Sequence, residues 1–304
     1  MNNQEKLTKP DKNIIDTKVY IEKKPRSTPI IIKALQIGFK IGGMVAPKLA
    51  GCAAYKLWIT PPRFKTPKSE VSAELSAKIE YHSIGNQSIA SYQWGDSGPT
   101  ILLVHGWSGR GTQLGAFAQA LVDTGFRVLS FDAPAHGKSS GKQTNIYEIA
   151  ETISTLENLY GPFKSVITHS FGGPCLAIAM KQGLKTTCVV NISPPSKTLG
   201  LVKKFTDALT LPKNVENELM RCIEKNFGEN VWHDSSMENN IQNLDVPALV
   251  IHDADDVDIP WHEGQSIAKA WNEVRFIKTK NLGHRRILRD PATIKTTVDF
   301  IKGL

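Results

Sequence analysis

The stretch KSVITHSFGGPCLAIAM, residues 164–180, decides how the whole chain is read. Lys164–His169 is apolar and β-branched over the length of a buried strand, whereas the run from Gly172 onward has the apolar density of a packed helix. Ser170 stands between them, followed by Phe171 and the Gly172-Gly173 pair. A strand that turns into a helix through one serine with small neighbours is the setting of a nucleophile elbow, which lifts the hydroxyl clear of the sheet. The G-x-S-x-G pattern is met as Thr168-His169-Ser170-Phe171-Gly172, with threonine at the first glycine position.

The same alternation extends to both sides. AKIEYHSI and QSIASYQW predict a hairpin around Gly85-Asn86. TILLVH, RVLSFD, TTCVVNIS, PALVIH and VRFIKT predict strands, and the segments between them predict helices, as in TQLGAFAQALVDTG and NIYEIAETISTLENLYG. From residue 76 onward this is the pattern of an α/β domain with a mainly parallel central sheet flanked by helices. Residues 194–246 interrupt the alternation with two amphipathic helical segments, and these predict a small helical cap. Their apolar faces (Leu199, Val202, Phe205; Val215, Leu219, Ile223) are suited either to lining an apolar pocket or to sealing the cap onto the body.

The first 75 residues differ from the rest. The chain of 304 residues carries a formal charge of +8, and residues 1–75 hold 14 Lys and Arg against 6 Asp and Glu, so the remaining body is formally neutral. A basic groove for nucleic acid across the main domain is therefore unsupported, and no nucleic-acid partner is expected. Residues 1–29 are polar, basic and broken by prolines, and read as a loosely ordered arm. Residues 30–59 are apolar but punctuated by Lys33, Lys40, Lys48 and Lys56, too often for a spanning helix of about 20 apolar residues. Pro47 divides them into two helices. Two roles fit the pair: packing against the body with the lysines reaching water, or peripheral contact with an anionic membrane through residues 30–60. TPPRFKTPKSE, residues 60–70, reads as a linker. The four cysteines are scattered, with no CxxC pair, so the sequence predicts neither disulfide stapling nor a zinc site and implies a reducing cytoplasm.

A serine needs a base to become a nucleophile at neutral pH, and the base needs an orienting acid. In α/β chains of this type the order is serine, acid, histidine, with the histidine after the last strand. His262 and His284 alone follow the acidic loop HDADDVDIP. His262 opens a predicted helix, whereas His284 lies beside Gly283 just past the final strand, which makes His284 the candidate general base. The loop offers Asp253, Asp255, Asp256 and Asp258. A calcium loop counted from Asp253 fails, because Val257, Asp258 and Gly264 stand where an oxygen ligand, a glycine and a glutamate belong. The amides of Trp107, in LLVHGWSGRG, and of Phe171 are candidate oxyanion donors. Asp132 and His136 in FDAPAHGKSS are expected to brace loops. Nothing calls for a cofactor or metal: there is no glycine-rich phosphate loop, CxxC or HExxH.

These motifs in this order resemble the α/β-hydrolase superfamily from about residue 76 to the end. The carrying residues are HGW, FDAPAHGKSS where the family often has D-x-P-G-x-G-x-S, HSFGG, HDADDVDIP where it often has H-G-x-x-D-x-x-V-P, and NLGH. PWHEGQSIAKAW followed by GHRRILRDP resembles a bacterial subgroup. The chain departs from the pattern at Thr168, at Ala135 for glycine and at Asp253 for glycine. The resemblance implies an α/β-hydrolase fold with a helical cap (194–246) and an N-terminal helical extension (1–75). By register it implies Asp256 as the acid, completing a Ser170–His284–Asp256 triad. The implied activity is that of a serine hydrolase, a carboxylesterase or thioesterase acting on a small acyl substrate. The same scaffold also serves non-catalytic ligand receptors and hydrolases of carbon–carbon bonds or lipids.

Overall fold

A computed structural model of the chain describes residues 14–15 and 29–304. Apart from residues 14, 15 and 29, the arm expected over residues 1–29 lies outside the described residues. Ile14–Ile15 forms a short edge strand (β1), and Ile30–Val45 (α1), Pro47–Trp58 (α2) and Lys68–Ser76 (α3) follow. The hairpin comes next as Lys78–Ile84 (β2) and Gln87–Trp94 (β3), then Thr100–Val104 (β4), Gly115–Val122 (α4), Arg127–Phe131 (β5) and Ile146–Tyr160 (α5). Phe163–His169 (β6), Gly172–Lys181 (α6) and Thr186–Ile192 (β7) surround Ser170. The cap holds Thr198–Ala208 (α7), Lys213–Phe227 (α8), Val231–Asp234 (α9) and Met237–Asn240 (α10). Ala248–Asp253 (β8), Trp261–Ala270 (α11), Val274–Thr279 (β9), Gly283–Arg286 (α12) and Pro291–Lys302 (α13) complete the chain.

The nine strands form one sheet in the order β1-β9-β8-β7-β6-β4-β5-β3-β2. β2 and β3 are antiparallel to their neighbours and the remaining pairs are parallel. Parallel strands buried on both faces must be apolar throughout, and β4 and β8 are buried at every position. One face packs Ile149, Ile153 and Leu176 of α5 and α6 on Leu102, Val166 and Val250. The other packs Phe117, Leu121 and Ile301 of α4 and α13 on Ile101, Val128 and Leu249. Each such side chain contributes about 1.5–3 kcal/mol on full burial. The loops at the C-terminal ends of β4, β6, β8 and β9 gather at one rim, where ligands bind in open α/β sheets.

A third apolar cluster lies apart from the sheet. Phe39 and Ala54 of α1 and α2 pack with Val202, Val215, Leu219 and Ile223 of α7 and α8. The N-terminal helices therefore pack chiefly on the cap, and Val215 and Leu219 seal that contact. A Cβ on Gly51 would fall 2.2 Å from Glu218 Cβ, so the close approach of α2 to α8 requires glycine there. The approach also brings two of the scattered cysteines together, with Cys52 Sγ 3.6 Å from Cys222 Sγ. Residues 60–70 are held firmly. Arg63 donates to the carbonyls of Ala135, Gly137, Ser139 and Gly141 at 2.7–3.0 Å, and Glu70 pairs with the largely buried Arg110 at 3.2 Å.

Candidate active site

Ser170 follows β6 directly and has φ of +52°, a left-handed conformation that a non-glycine residue adopts only when its surroundings enforce it. Here they do. Ser170 N–H donates to Ile192 O at 2.9 Å and its carbonyl accepts from Gly173 N–H at 3.0 Å. A Cβ at Gly172 would lie 2.8 Å from Val104 O, and one at Gly106 would lie 3.0 Å from Ser170 Cβ, so both glycines let the turn close. Thr168, the departure from the elbow pattern, is fully buried and donates from Oγ1 to Asn191 Oδ1 at 2.6 Å across the β6–β7 pair. The threonine thus ties the elbow strand to its neighbour. Ala135, the second departure, has φ of +64°, a conformation that glycine adopts without strain, in keeping with the glycine of the pattern it departs from.

His284 opens the loop after β9 as the second residue of α12. Its Nδ1 lies 2.7 Å from Asp256 Oδ2. The other Asp256 oxygen accepts from the N–H groups of Asp258 and Ile259 at 2.9 and 2.8 Å. His252 Nε2, which donates to Ile259 O, lies 3.5 Å from Asp256 Oδ2. Burial alone would raise the Asp256 carboxyl. The His252 ring beside the carboxylate, the hydrogen bond from His284 and the Ile259 amide outweigh burial and hold the carboxyl well below the ordinary carboxylate range. His169, next to Ser170, donates from Nε2 to His284 O at 2.9 Å, and the two rings lie 4.6 Å apart. Burial, with the His284 charge beside it, keeps His169 neutral by pushing its pKa well down. Ser170 Oγ has no hydrogen bond to another described residue, and His284 Nε2 is likewise without a protein partner among them.

Asp253, the third departure, organises the histidine loop. Its fully buried carboxylate accepts from Thr279 Oγ1 at 2.7 Å, Gly283 N–H at 2.8 Å, Asp255 N–H at 3.0 Å and Leu282 N–H at 3.1 Å. Asp255 adds a bond from Asn281 N–H at 2.8 Å. The acidic loop is therefore a scaffold that sets Asp256 on one side and delivers His284 on the other. A buried charge without such partners would be costly. An aspartate at a strand's buried end was the signal available in the sequence; its partners on a distant loop were not.

The Trp107 loop is fixed by two histidines. His105 Nε2 accepts from Ala133 N–H at 3.0 Å while Nδ1 donates to Gly106 O at 2.7 Å. His136 Nε2 accepts from Ser108 N–H at 3.0 Å while Nδ1 donates to Pro134 O at 2.9 Å. Burial pushes His105 down to about 4 and, with the His105 ring close by, His136 down to about 3, so both are neutral and each acts as donor and acceptor at once. Asp132 accepts from Gly111 N–H at 2.6 Å, Lys138 N–H at 2.6 Å and the Tyr92 hydroxyl at 2.8 Å. Asp132 and His136 brace loops, as their positions suggest. The N–H groups of Trp107 and Phe171 have no hydrogen-bond partner among the described residues.

Ser170, Phe171 and Trp107 lie on the wall of a cavity of about 450 Å³, a size suited to a small organic ligand. Its other walls come from the cap (Leu201, Val202, Phe205, Ile223) and from the N-terminal helices (Ile32, Leu35, Leu57, Trp58). Trp58 stacks on Trp107 with ring centroids 6.5 Å apart and meets Phe205 edge-on at 5.3 Å. Of the two predicted cap faces, Val202, Phe205 and Ile223 reach the cavity, whereas Leu199 is exposed. His262 is exposed and lies against Trp261. The wall supplied by α1 and α2 was not foreseen, because an apolar helix does not declare which surface it will cover.

The sheet order and the elbow define an α/β protein with a capped, single-rim site. Residues 101–216 match the sequence model of the alpha/beta hydrolase family. None of the curated proteins matches the chain by sequence. Solved structures do match. The Pyrococcus furiosus esterase Pf2001 is 20% identical with a TM-score of 0.59, over 81% of this chain and 96% of that one. Mouse alpha/beta hydrolase domain-containing protein 10 is 16% identical with a TM-score of 0.60, over 75% and 98%. A bacterial membrane phospholipase A is 15% identical with a TM-score of 0.59, over 90% and 97%. The protein is thus an α/β-hydrolase in fold, carrying that family's sequence pattern over residues 101–216.

Proposed function

We propose that the protein is a serine hydrolase that cleaves a carboxylic ester or thioester with an apolar acyl group through a covalent acyl-enzyme. The observation that carries this reading is Ser170, at φ +52° on the wall of an apolar cavity, next in the chain to His169, whose ring donates to the backbone of His284, itself joined to Asp256 at 2.7 Å. In the first step Ser170 Oγ attacks the acyl carbonyl and its proton passes to His284 Nε2, with Asp256 holding the ring through Nδ1–H and stabilising the imidazolium. The N–H groups of Trp107 and Phe171 receive the developing oxyanion; donors left unpaired by the fold need no rearrangement to do so. His284 then gives the proton to the departing alkoxide or thiolate. Water, deprotonated by His284, attacks the acyl carbon and releases the carboxylic acid and Ser170.

Two structural neighbours, an esterase and a phospholipase, support an acyl ester as the substrate class. The apolar cavity wall supports a medium or long chain over acetate. A panel of esters and thioesters of increasing acyl length, with Ser170→Ala as control, tests the reading. The expected result is turnover that rises with chain length and falls by at least about 10⁴-fold in the variant. Equal turnover by wild type and Ser170→Ala, or none on any substrate, contradicts it.

A further inference from the structure

Helix α1 is apolar on two opposite sides. Ile32, Leu35, Phe39 and Gly43 face the cap and the cavity, and that side is fully engaged: Asn214 donates to Gly43 O at 2.7 Å and Gln36 to Ala208 O at 3.0 Å. The opposite stripe follows the helical spacing of Ile30, Ile37, Ile41 and Met44, and Val45 at the end of α1 and Leu49 at the start of α2 are exposed as well. No described residue covers it. Ile30 is 87% exposed, Val45 79%, Leu49 74%, Met44 71%, Ile37 61% and Ile41 54%. Lys33 and Lys40 flank the stripe about two turns apart, with Lys48 and Lys56 on α2. Residues 30–69 contain seven Lys and Arg and no Asp or Glu. None of the four lysines pairs with a carboxylate among the described residues. Glu218, which packs against Gly51, is itself paired with Arg221.

We infer that this outward face of α1 and the start of α2 docks on an anionic lipid bilayer. Charge and exposure together select that occupant. A second copy meeting the face across a two-fold axis would bring Lys33, Lys40 and Lys48 towards their own mates with no acid to pair them. Nucleic acid would use the lysines but leave six large apolar side chains in water. An apolar stripe edged with lysines is what lies in the headgroup boundary, apolar side chains inward and ammonium groups at the phosphates. No helix among the described residues is long and apolar enough to cross a membrane, so the contact is peripheral. The consequence for chemistry rests on the reading of Ser170. Ile32 and Leu35 line the cavity from the other side of the docked helix, so docking sets the cavity one helix thickness, about 10 Å, from the lipid, and the substrate class becomes acyl lipids of the bilayer.

The test uses the full chain with sedimenting vesicles of phosphatidylcholine, alone or mixed with phosphatidylglycerol. The expected result is at least about tenfold stronger binding to the mixed vesicles at low salt, weakened by added salt. Ile37→Glu with Ile41→Glu should lose that binding while keeping hydrolysis of a soluble short-chain ester, since neither residue lines the cavity. Equal binding to both vesicles, no binding to either, or binding that survives the double substitution overturns the proposal. So does a dimer in gel filtration that the double substitution converts to monomer with vesicle binding unchanged. The same measurement on Ser170→Ala separates the two readings. Vesicle binding without ester hydrolysis by wild type removes the catalytic reading alone, and ester hydrolysis without vesicle binding removes the docking alone.

Discussion

The floor and the roof of the cavity are built on different principles. The floor, where Ser170, Phe171 and Trp107 line the cavity, is joined to polar loops fixed by hydrogen bonds: Asp253 accepts four, Asp256 accepts from two amides and His284, and His105 and His136 clamp the Trp107 loop. The roof is apolar and fixed by contact, with Trp58, Phe205, Val202 and Leu35 drawn from two separate segments of the chain. A floor of this kind tolerates little displacement, because each buried polar group needs its own partner at about 3 Å. A roof of this kind can change shape residue by residue. Under the proposed function, chemistry belongs to the floor and choice of substrate to the roof.

Substitutions should separate the two accordingly. The largest effect is expected from Asp256→Asn, which leaves the packing intact but upsets the His284 tautomer. kcat should fall about 10⁴-fold with KM for a long-chain ester nearly unchanged. A fall in kcat of less than about tenfold would show that Asp256 does not orient the base. Asp253→Ala removes the acceptor shared by Thr279, Asp255, Leu282 and Gly283, and should destabilise the fold by about 3 kcal/mol in urea unfolding. Activity should fall with it, since His284 follows Gly283.

The floor should also be the acid-sensitive part. His105 and His136 have folded-state pKa values lowered to about 4 and about 3, against about 6.5 when unfolded. Below about pH 6.5 the unfolded chain binds protons that the folded chain refuses, so stability falls as pH drops from there towards 3–4. Each group contributes up to about 1.4 kcal/mol per pH unit. The low pKa of Asp256 adds loss of the same sign below about pH 4. Urea unfolding across this range measures the slope, and His136→Gln should flatten it by one proton's share. A slope unchanged by that substitution would mean that His136 is not held neutral. The smallest effect is expected in the roof. Leu201→Trp narrows the cavity and should raise KM for long-chain esters about tenfold while leaving a short-chain ester within about twofold.

The same contrast explains what the sequence disclosed. The strands from β4 to β9 could be read because buried parallel strands are apolar runs closed by glycine, proline and aspartate, and the places of Ser170 just after β6 and of His284 just after β9 could be read from that same order. The reason for Thr168 could not be read, since its partner Asn191 lies 23 positions away on the next strand. Asp253 was visible only as a departure from the family pattern, because three of its four partners, Thr279, Leu282 and Gly283, lie at the end of β9 and just past it. The roof was the least legible. Leu35 and Trp58 are ordinary apolar residues until packing turns them towards Phe205, and Cys52 and Cys222 are scattered until α2 meets α8 at Gly51.

The central claim is that Ser170 is the activated nucleophile of the floor. A fluorophosphonate probe, which reacts only with a serine whose proton is taken by a base, measures this directly. The account predicts one label per chain, recovered on the peptide bearing Ser170, lost in Ser170→Ala and strongly slowed in Asp256→Asn. Absence of label in the wild type, or labelling that survives Ser170→Ala, would contradict it.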